Sequence, residues 1–177
     1  GIGNSQNVIA FIEGSEYPDQ YVYLLAHTDH EGVINGEVYS GADDNGSGNA
    51  AVLEIAEAFK MASEDGFAPK RSIVFLHVTA EEIGLYGSRY YTENPILPID
   101  NTVSALNMDM VGRVDERHKE YPDYIYVIGS DRISTELDYV IREANDEFTN
   151  LELDYKYNDP RDSNRYYNRS DHYNFAL

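Results

Sequence analysis

A near-continuous apolar run, RSIVFLHVT at residues 71–79, constrains the fold of this chain more than any other feature. A half-exposed strand needs a polar residue at every second position, so a run without them indicates a strand buried on both faces. Strands are also predicted at 20–26 and 102–110, and apolar residues at helical spacing follow at about 47–60. Strands that alternate with helices predict an α/β fold, with a mixed or mostly parallel sheet covered on both faces.

The rest of the chain continues this alternation. A strand is predicted at 7–13, a turn over 14–19 joins it to the next strand, and 31–46 is predicted to be a loop because Gly, Asn and Asp dominate it. No repeat or linker interrupts the pattern, so residues 1–177 are expected to form one domain. The other predicted elements are helices at 85–93 and 132–148, strands at 123–128 and 151–157, a polar loop at 158–169 and a short helix after Ser170.

Composition excludes several classes of function. With 13 basic and 32 acidic residues the net charge is −19, which disfavours nucleic acid and anionic lipid as partners. The absence of cysteine excludes disulfide scaffolds, cysteine nucleophiles and cysteine-based zinc sites. No apolar run approaches the length that spans a bilayer, and no feature indicates an oligomeric state. The chain begins Gly-Ile-Gly rather than with Met, so we expect a processed or excised piece.

Four polar clusters follow predicted strands or lead into a predicted helix. They are AHTDH at 26–30, GADDNGSG at 41–48, TAEE at 79–82 and NMD at 107–109. Open α/β sheets place ligands at the carboxyl ends of their strands, so the clusters are expected to meet at one edge. Carboxylates that close repel one another unless a cation lies among them. One histidine with several carboxylates suits zinc or another divalent metal, and a bridging carboxylate suits two such ions.

Each cluster also has an ordinary structural explanation. A histidine after a strand is usually packed or exposed without a ligand, Asn-Gly is typical of a turn, and paired glutamates favour a helix start. Asp109 is harder to explain in this way, since an acid at the end of a buried strand is costly without a partner. The string GSGNAA at 46–51 matches a dinucleotide fingerprint only superficially, because two acids precede it and no strand leads into it.

The strings AHTD, GADDNGSG, TAEEIGLYGS, NMD and SDHYNF, in this order, resemble the M28 family of zinc aminopeptidases over residues 7–177. The resemblance implies a three-layer α/β/α sandwich with two zinc ions at the carboxyl edge of a mixed, mostly parallel sheet. It implies hydrolysis of the N-terminal residue from a peptide or a small substrate with an N-terminal amine. Export to the periplasm or the extracellular space is expected from the family.

The resemblance implies roles for the residues in these motifs. His27 and Asp109 would bind the first zinc, Glu82 would bind the second, and Asp44 would bridge the two. Glu81, next to a ligand but free to move a proton, would be the general base.

Four neighbouring residues have supporting places in the family pattern. Asp29 matches the position that hydrogen-bonds the ligand histidine, and Asp43 takes a variable position that does not ligate. Asp171 and His172 would lie beside the substrate site. The family's fifth ligand is a later histidine, and this chain ends at Leu177 before any such segment. The second zinc site is therefore expected to be incomplete, and this chain inactive, unless His172 supplies the missing ligand. The domain is also expected to lack a strand and a closing helix.

The other histidines receive no role from the sequence. His77 is expected in the core, His118 in a charged loop, and His30 beside the site. Two alternatives remain open: a single-zinc acyltransferase like glutaminyl cyclase, and a peptidase-like domain kept for binding.

Overall fold

The computed structural model describes residues 4–177. They divide into two compact units. The first unit contains residues up to 112 together with 170–175 and 177, and the second contains 113–169 and 176.

Strands and helices alternate along the chain, as the sequence predicts. The strands are β1 (Val8–Ile12), β2 (Tyr17–His27), β3 (Gly32–Ile34), β4 (Glu37–Tyr39), β5 (Arg71–Val78), β6 (Thr102–Asn107), β7 (Tyr124–Tyr126) and β8 (Glu152–Asp154). The helices are α1 (Gly46–Glu64), α2 (Tyr86–Glu93), α3 (Thr135–Ala144) and α4 (His172–Phe175).

The first unit is built on a four-stranded sheet in the order β1-β5-β2-β6. Strand β2 pairs in parallel with β5 and β6, whereas β1 pairs antiparallel with β5. The sheet is thus mixed and mostly parallel. Because β2, β5 and β6 run in the same direction, their carboxyl ends meet at one edge.

Both faces of this sheet are buried, which explains the apolar run at 71–79. Side chains alternate across a strand, so Leu25 and Leu24 on β2 enter clusters on opposite faces. Val52 of α1 packs on one face with Phe75. Tyr91 of α2 packs on the other. Helices on both faces make three layers, and the predicted fold class is confirmed.

One sequence prediction for the first unit was wrong. Residues 31–46, expected as a loop, contain the antiparallel hairpin β3–β4. Its turn is Asn35-Gly36, and both residues have positive φ (53° and 84°), which favours a tight two-residue hairpin. The strand residues are exposed, so they lack the apolar alternation by which a strand is recognised.

Several element boundaries also differ from the prediction. Strand β2 begins at Tyr17, so the expected turn over 14–19 is shorter, and the register shifts between Tyr17 and Tyr21. Strand β6 ends at Asn107, and the helix predicted at 132–148 becomes α3 followed by a π-helical turn, Asn145–Thr149. The polar loop at 158–169 contains a short 3₁₀ turn at Tyr166–Asn168.

The second unit has its own small sheet. Strands β7 and β8 are parallel, and α3 begins after Ser134, whose hydroxyl accepts a hydrogen bond from the Glu136 N–H. Across residues 4–177, helices are too short or too polar to cross a membrane.

Candidate metal centre

Three strand ends bring the predicted site together. Strand β2 ends at His27, β5 ends two residues before Ala80, and β6 ends two residues before Asp109. The parallel pairing places these ends at one edge of the sheet. Asp44 lies just before α1, whose Asn45 side chain accepts from the Gly48 N–H and so caps the helix.

His27 is the centre of the first group of candidate ligands. Its side chain is 1% exposed, and its Nε2 lies 3.3 Å from Asp44 Oδ1 and 3.6 Å from Asp109 Oδ1. Its Nδ1 is 3.1 Å from the backbone oxygen of Asp29, a distance at which Nδ1–H can donate a hydrogen bond. In that tautomer Nε2 carries the lone pair and can bind a metal. His27 Nε2 and Asp109 Oδ1 are both buried without a hydrogen-bond partner. A cation bound between them would satisfy both atoms.

The charges around His27 favour a cation. Burial alone would lower the pKa of His27, but the carboxyl groups of Asp109, Glu81 and Asp171 together raise it to about 9. The same negative field would hold a divalent metal ion in place of the proton.

His30 is the centre of a second group. Its Nδ1 lies 2.7 Å from Glu82 Oε1 and 4.0 Å from Asp44 Oδ2. His30 Nδ1 and Glu82 Oε1 are buried and lie at this short distance without the alignment of a regular hydrogen bond. His30, Asp44 and Glu82 each offer one ligand atom, all within 4.8 Å of one another.

Asp44 belongs to both groups. Its Oδ1 lies near His27, and its Oδ2 lies near His30. Burial and the neighbouring Asp109 carboxylate raise the pKa of Asp44 above its usual value. One carboxylate with an oxygen toward each group is the arrangement needed to bridge two metal ions.

Glu81 lies next to the ligand candidates without belonging to either group. Burial raises the pKa of Glu81 to about 8, an effect that the nearby His27 opposes and that the Asp171 and Asp109 carboxylates reinforce. The backbone of this turn is held by Asp29, whose two carboxylate oxygens accept from the N–H groups of Glu81 (3.0 Å) and Glu82 (3.2 Å). The Asp29 carboxylate is 3.8 Å from His27 Nδ1, so it is the Asp29 backbone, rather than its side chain, that lies within hydrogen-bond distance of this histidine.

Ser170 and Asp171 join the site from the other end of the chain. The Ser170 hydroxyl donates to Asp109 Oδ2 (2.7 Å), and Ser88 donates to the fully buried Asp171 (2.5 Å). Burial raises the pKa of Asp171 to about 6. Burial raises the pKa of Asp109, but the neighbouring His27 and the Ser170 hydroxyl lower it, so that the pKa lies below its usual value. His172 opens α4. The groups of candidate ligands found among residues 4–177 do not include His172.

Two other residues weighed in the sequence have structural partners. Asp43 accepts from the Gly112 N–H (2.8 Å) and belongs to neither group. His77 is half-buried rather than fully in the core, and its Nδ1 lies 2.6 Å from Asn49 Oδ1. Burial lowers the pKa of His77.

His30 is the residue that the sequence analysis undervalued. Its only sequence signal is its spacing of three residues after His27, and such spacing carries no information in a loop. An open cleft of about 480 Å³ adjoins His30 and Glu82 and is lined also by the apolar side chains of Ile34 and Ile83. The second group is therefore reachable by a small molecule or a chain end.

The family model for peptidase family M28 matches residues 7–177. The chain belongs to this family. It is 38% identical over 109 residues to the probable glutamate carboxypeptidase LAMP1 of Arabidopsis thaliana, which is 61% of this chain and 15% of that protein. The M28 chain thus spans about a seventh of this curated relative.

Solved structures agree with the family. The M28 chain superposes on BSAP, a zinc aminopeptidase from Bacillus subtilis, with a TM-score of 0.63 and 31% identity, covering 84% of this chain and 34% of that one. It also shares its fold with a glutaminyl cyclase from Bacteroides thetaiotaomicron, at 20% identity and a TM-score of 0.59 over 84% of this chain and 55% of that one.

Proposed function

We propose that this M28 chain carries the catalytic centre of a two-zinc aminopeptidase, which hydrolyses the first peptide bond of a substrate with a free N-terminal amine. The observation that carries the proposal is Asp44, shared between two groups of candidate ligands, with Glu81 beside both and in neither. The expectation that the protein is exported belongs to the same proposal.

The residues present fit two zinc ions. We assign His27, Asp44 and Asp109 to the first ion, and Asp44, Glu82 and His30 to the second. Each group combines one imidazole with two carboxylates, a donor set that zinc accepts. Buried unpartnered atoms occur in both groups, which supports a cation as the missing partner. When bound, zinc ions polarise the carbonyl of the scissile bond and make water more acidic.

Glu81 acts as the general base in this proposal. Its carboxylate takes a proton from the attacking water, a bond forms between the water oxygen and the carbonyl carbon, and the C–N bond then breaks. Glu81 returns the proton to the leaving amine. Asp29 keeps this side chain in position through the backbone N–H groups of Glu81 and Glu82.

The acidic edge recognises the substrate's charged amine. Asp29 and Glu31 line the cleft beside the second group, and their carboxylates would attract an ammonium group. The apolar side chains of Ile34 and Ile83 line the same cleft. An N-terminal residue would therefore enter amine first.

The cyclase alternative differs in its product and its zinc requirement. A glutaminyl cyclase-like enzyme would convert an N-terminal glutamine to pyroglutamate with release of ammonia, and one zinc ion would suffice. A shared Asp44 supports two ions rather than one. A peptide with an N-terminal glutamine separates the two functions by mass, since one releases glutamine and the other only ammonia.

Substitution of Glu81 tests the proposal. In the native protein we expect Glu81→Gln to retain its zinc and to lose about 1,000-fold or more of its turnover, because the amide cannot take a proton. The measurement is release of an aminoacyl chromophore together with zinc per chain by elemental analysis. Glu93→Gln is the control, since it removes an exposed carboxylate that pairs with Arg89. Full activity of Glu81→Gln would remove Glu81 from this role.

A further inference from the structure

His118 of the second unit lies in a loop, as predicted, but its side chain is buried. Its side chain is 3% exposed, and the ring stacks on Tyr124 at a centroid distance of 3.6 Å and an interplanar angle of 10°. The ring of Tyr126 also contacts the His118 ring, nearly at right angles to it, with a centroid distance of 5.5 Å. The imidazole is therefore held in one orientation by its neighbours.

A hydrogen bond to Asp115 fixes which nitrogen of His118 faces which partner. His118 Nδ1 lies 2.8 Å from Asp115 Oδ1, and the Tyr126 hydroxyl donates to Asp115 Oδ2 (2.6 Å). With Nδ1–H donating to the carboxylate, Nε2 carries a lone pair. A carboxylate behind a histidine in this way orients the ring and makes it a better metal ligand.

His118 Nε2 is directed at a buried carboxylate without bonding to it. It lies 3.3 Å from Asp154 Oδ2, and Asp154 has a side-chain exposure of 7%. Both atoms are buried without a hydrogen-bond partner. The other oxygen of Asp154 accepts from the Lys156 N–H (2.7 Å). A buried nitrogen and a buried oxygen that face each other unsatisfied are costly unless something lies between them.

A third ligand atom completes the cluster. Glu152 and Asp154 are two residues apart on β8, so their side chains lie on the same face of the strand. One atom each from His118, Glu152 and Asp154 lies within 4.8 Å of the others. Arg117 Nη2 is 3.6 Å from Asp154 Oδ2, so this half-exposed guanidinium partly compensates the carboxylate and would compete with a cation.

We propose that His118, Glu152 and Asp154 form a further binding site for a divalent transition-metal ion such as zinc. One imidazole and two carboxylates form a donor set suited to zinc, and water would complete the coordination at the exposed Glu152 side. The ion would tie the segment that contains Asp115 and His118 to strand β8 and thus stabilise the second unit. The site does not depend on the proposed peptidase activity.

The alternative without a metal is an ion pair. In that case His118 carries a proton on both nitrogens and lies between Asp115 and Asp154, two carboxylates on opposite sides of its ring. Glu152 would then have no part in the arrangement. Substitution of Glu152 therefore separates the two explanations.

Zinc per chain, after equilibrium dialysis of the intact protein at micromolar free zinc, tests the site. We expect Glu152→Gln and Asp154→Asn to bind about one zinc ion fewer than the wild type. Glu116→Gln is the matched control, because it removes the same charge from a carboxylate that pairs with Lys119 in the same segment. The wild type and these variants share the zinc ligands proposed for the active site. Zinc bound there therefore cancels when the zinc content of a variant is subtracted from that of the wild type.

Two further measurements keep the test decisive if the buried Asp154→Asn variant fails to fold. The ¹⁵N resonance of His118 Nε2 should shift on addition of zinc to the wild type and to Glu116→Gln, but not in Glu152→Gln. Arg117→Gln should bind the additional ion more tightly, since a competing positive charge is removed. Equal zinc in the wild type and Glu152→Gln, with an unmoved Nε2 resonance, would overturn the proposal in favour of the ion pair.

Discussion

Gly48 illustrates how one residue decides the position of the candidate centre. A Cβ at this position would run into the Met108 carbonyl oxygen and the Asn45 Oδ1. The Asn45 amide donates to the same Met108 oxygen (2.9 Å), so the start of α1 is docked directly on the segment after β6. Glycine is required here because two backbone segments approach closely, and this approach brings Asp44 toward Asp109.

Gly48→Ala is expected to lower the free energy of unfolding by about 1 to 3 kcal/mol, the usual effect of forcing atoms into a packed contact. It should also reduce zinc binding, because Asn45 must move and Asp44 moves with it. Urea unfolding and zinc per chain measure the two effects. Ala58→Ser is the control on the exposed side of the same helix, where a change within about 0.5 kcal/mol is expected. An unchanged stability for Gly48→Ala would contradict the close approach.

At the scale of elements, the Asp138 carboxylate links α3 to neighbouring segments of the second unit. Asp138 accepts from Arg142 Nε (2.7 Å) four residues along the helix, from the Ser130 hydroxyl (2.7 Å) and from the Tyr155 hydroxyl (2.9 Å). The hydrogen bond from Arg142, followed by that from Ser130, holds the pKa of Asp138 below its usual 3.8. The ionised form of Asp138 is therefore favoured by folding.

The sign of this shift predicts a pH dependence. A carboxyl whose pKa is lower in the folded state stabilises the fold above its unfolded pKa, and the contribution disappears as the pH falls through the folded pKa. Asp138→Asn should cost about 1 kcal/mol at pH near 7, and the difference from the wild type should shrink as the pH falls below the usual pKa of 3.8. Urea unfolding at several pH values measures this. Asp146→Asn, which removes the same charge from an exposed carboxyl, is the control, and a constant difference for Asp138→Asn would contradict the assignment.

At the scale of the whole molecule, the sheet of the first unit is the main apolar core. Leu25 is completely buried in a cluster with Tyr23, Val74 and Leu76 on one face of the sheet. The next strand residue along, Ala26, enters the cluster on the other face. A strand that carries core residues on both faces also ends in His27, so core and candidate centre share one element.

Leu25→Ala should lower the free energy of unfolding by about 2 to 5 kcal/mol through a cavity in this core. Leu53→Ala, the same substitution at a side chain that is 60% exposed on α1, should cost far less. Urea midpoints followed by tyrosine fluorescence compare the two variants. Equal losses would mean that the sheet face around Leu25 is not the packed core described above.

Local patterns predicted much of the first unit. The apolar run at 71–79 and the polar clusters at the strand ends indicated a buried sheet with a ligand site at its carboxyl edge, and that sheet is confirmed. The hairpin β3–β4 was missed because its strand residues are exposed and show no apolar alternation. The helix predicted over 132–148 changes at Asn145 into a π-helical turn, which the 3.6-residue period cannot distinguish from a continuing helix.

The sequence by itself determined the buried sheet, because burial on both faces leaves an apolar run along a strand. Its motifs also indicated His27, Asp44, Glu82 and Asp109 as candidate ligands. Only the tertiary structure placed His30 against Glu82 and buried His118 against Asp154. These contacts join residues that are 52 and 36 positions apart. No local pattern records such a pair, because the free energy that holds the two residues together comes from how the intervening elements pack.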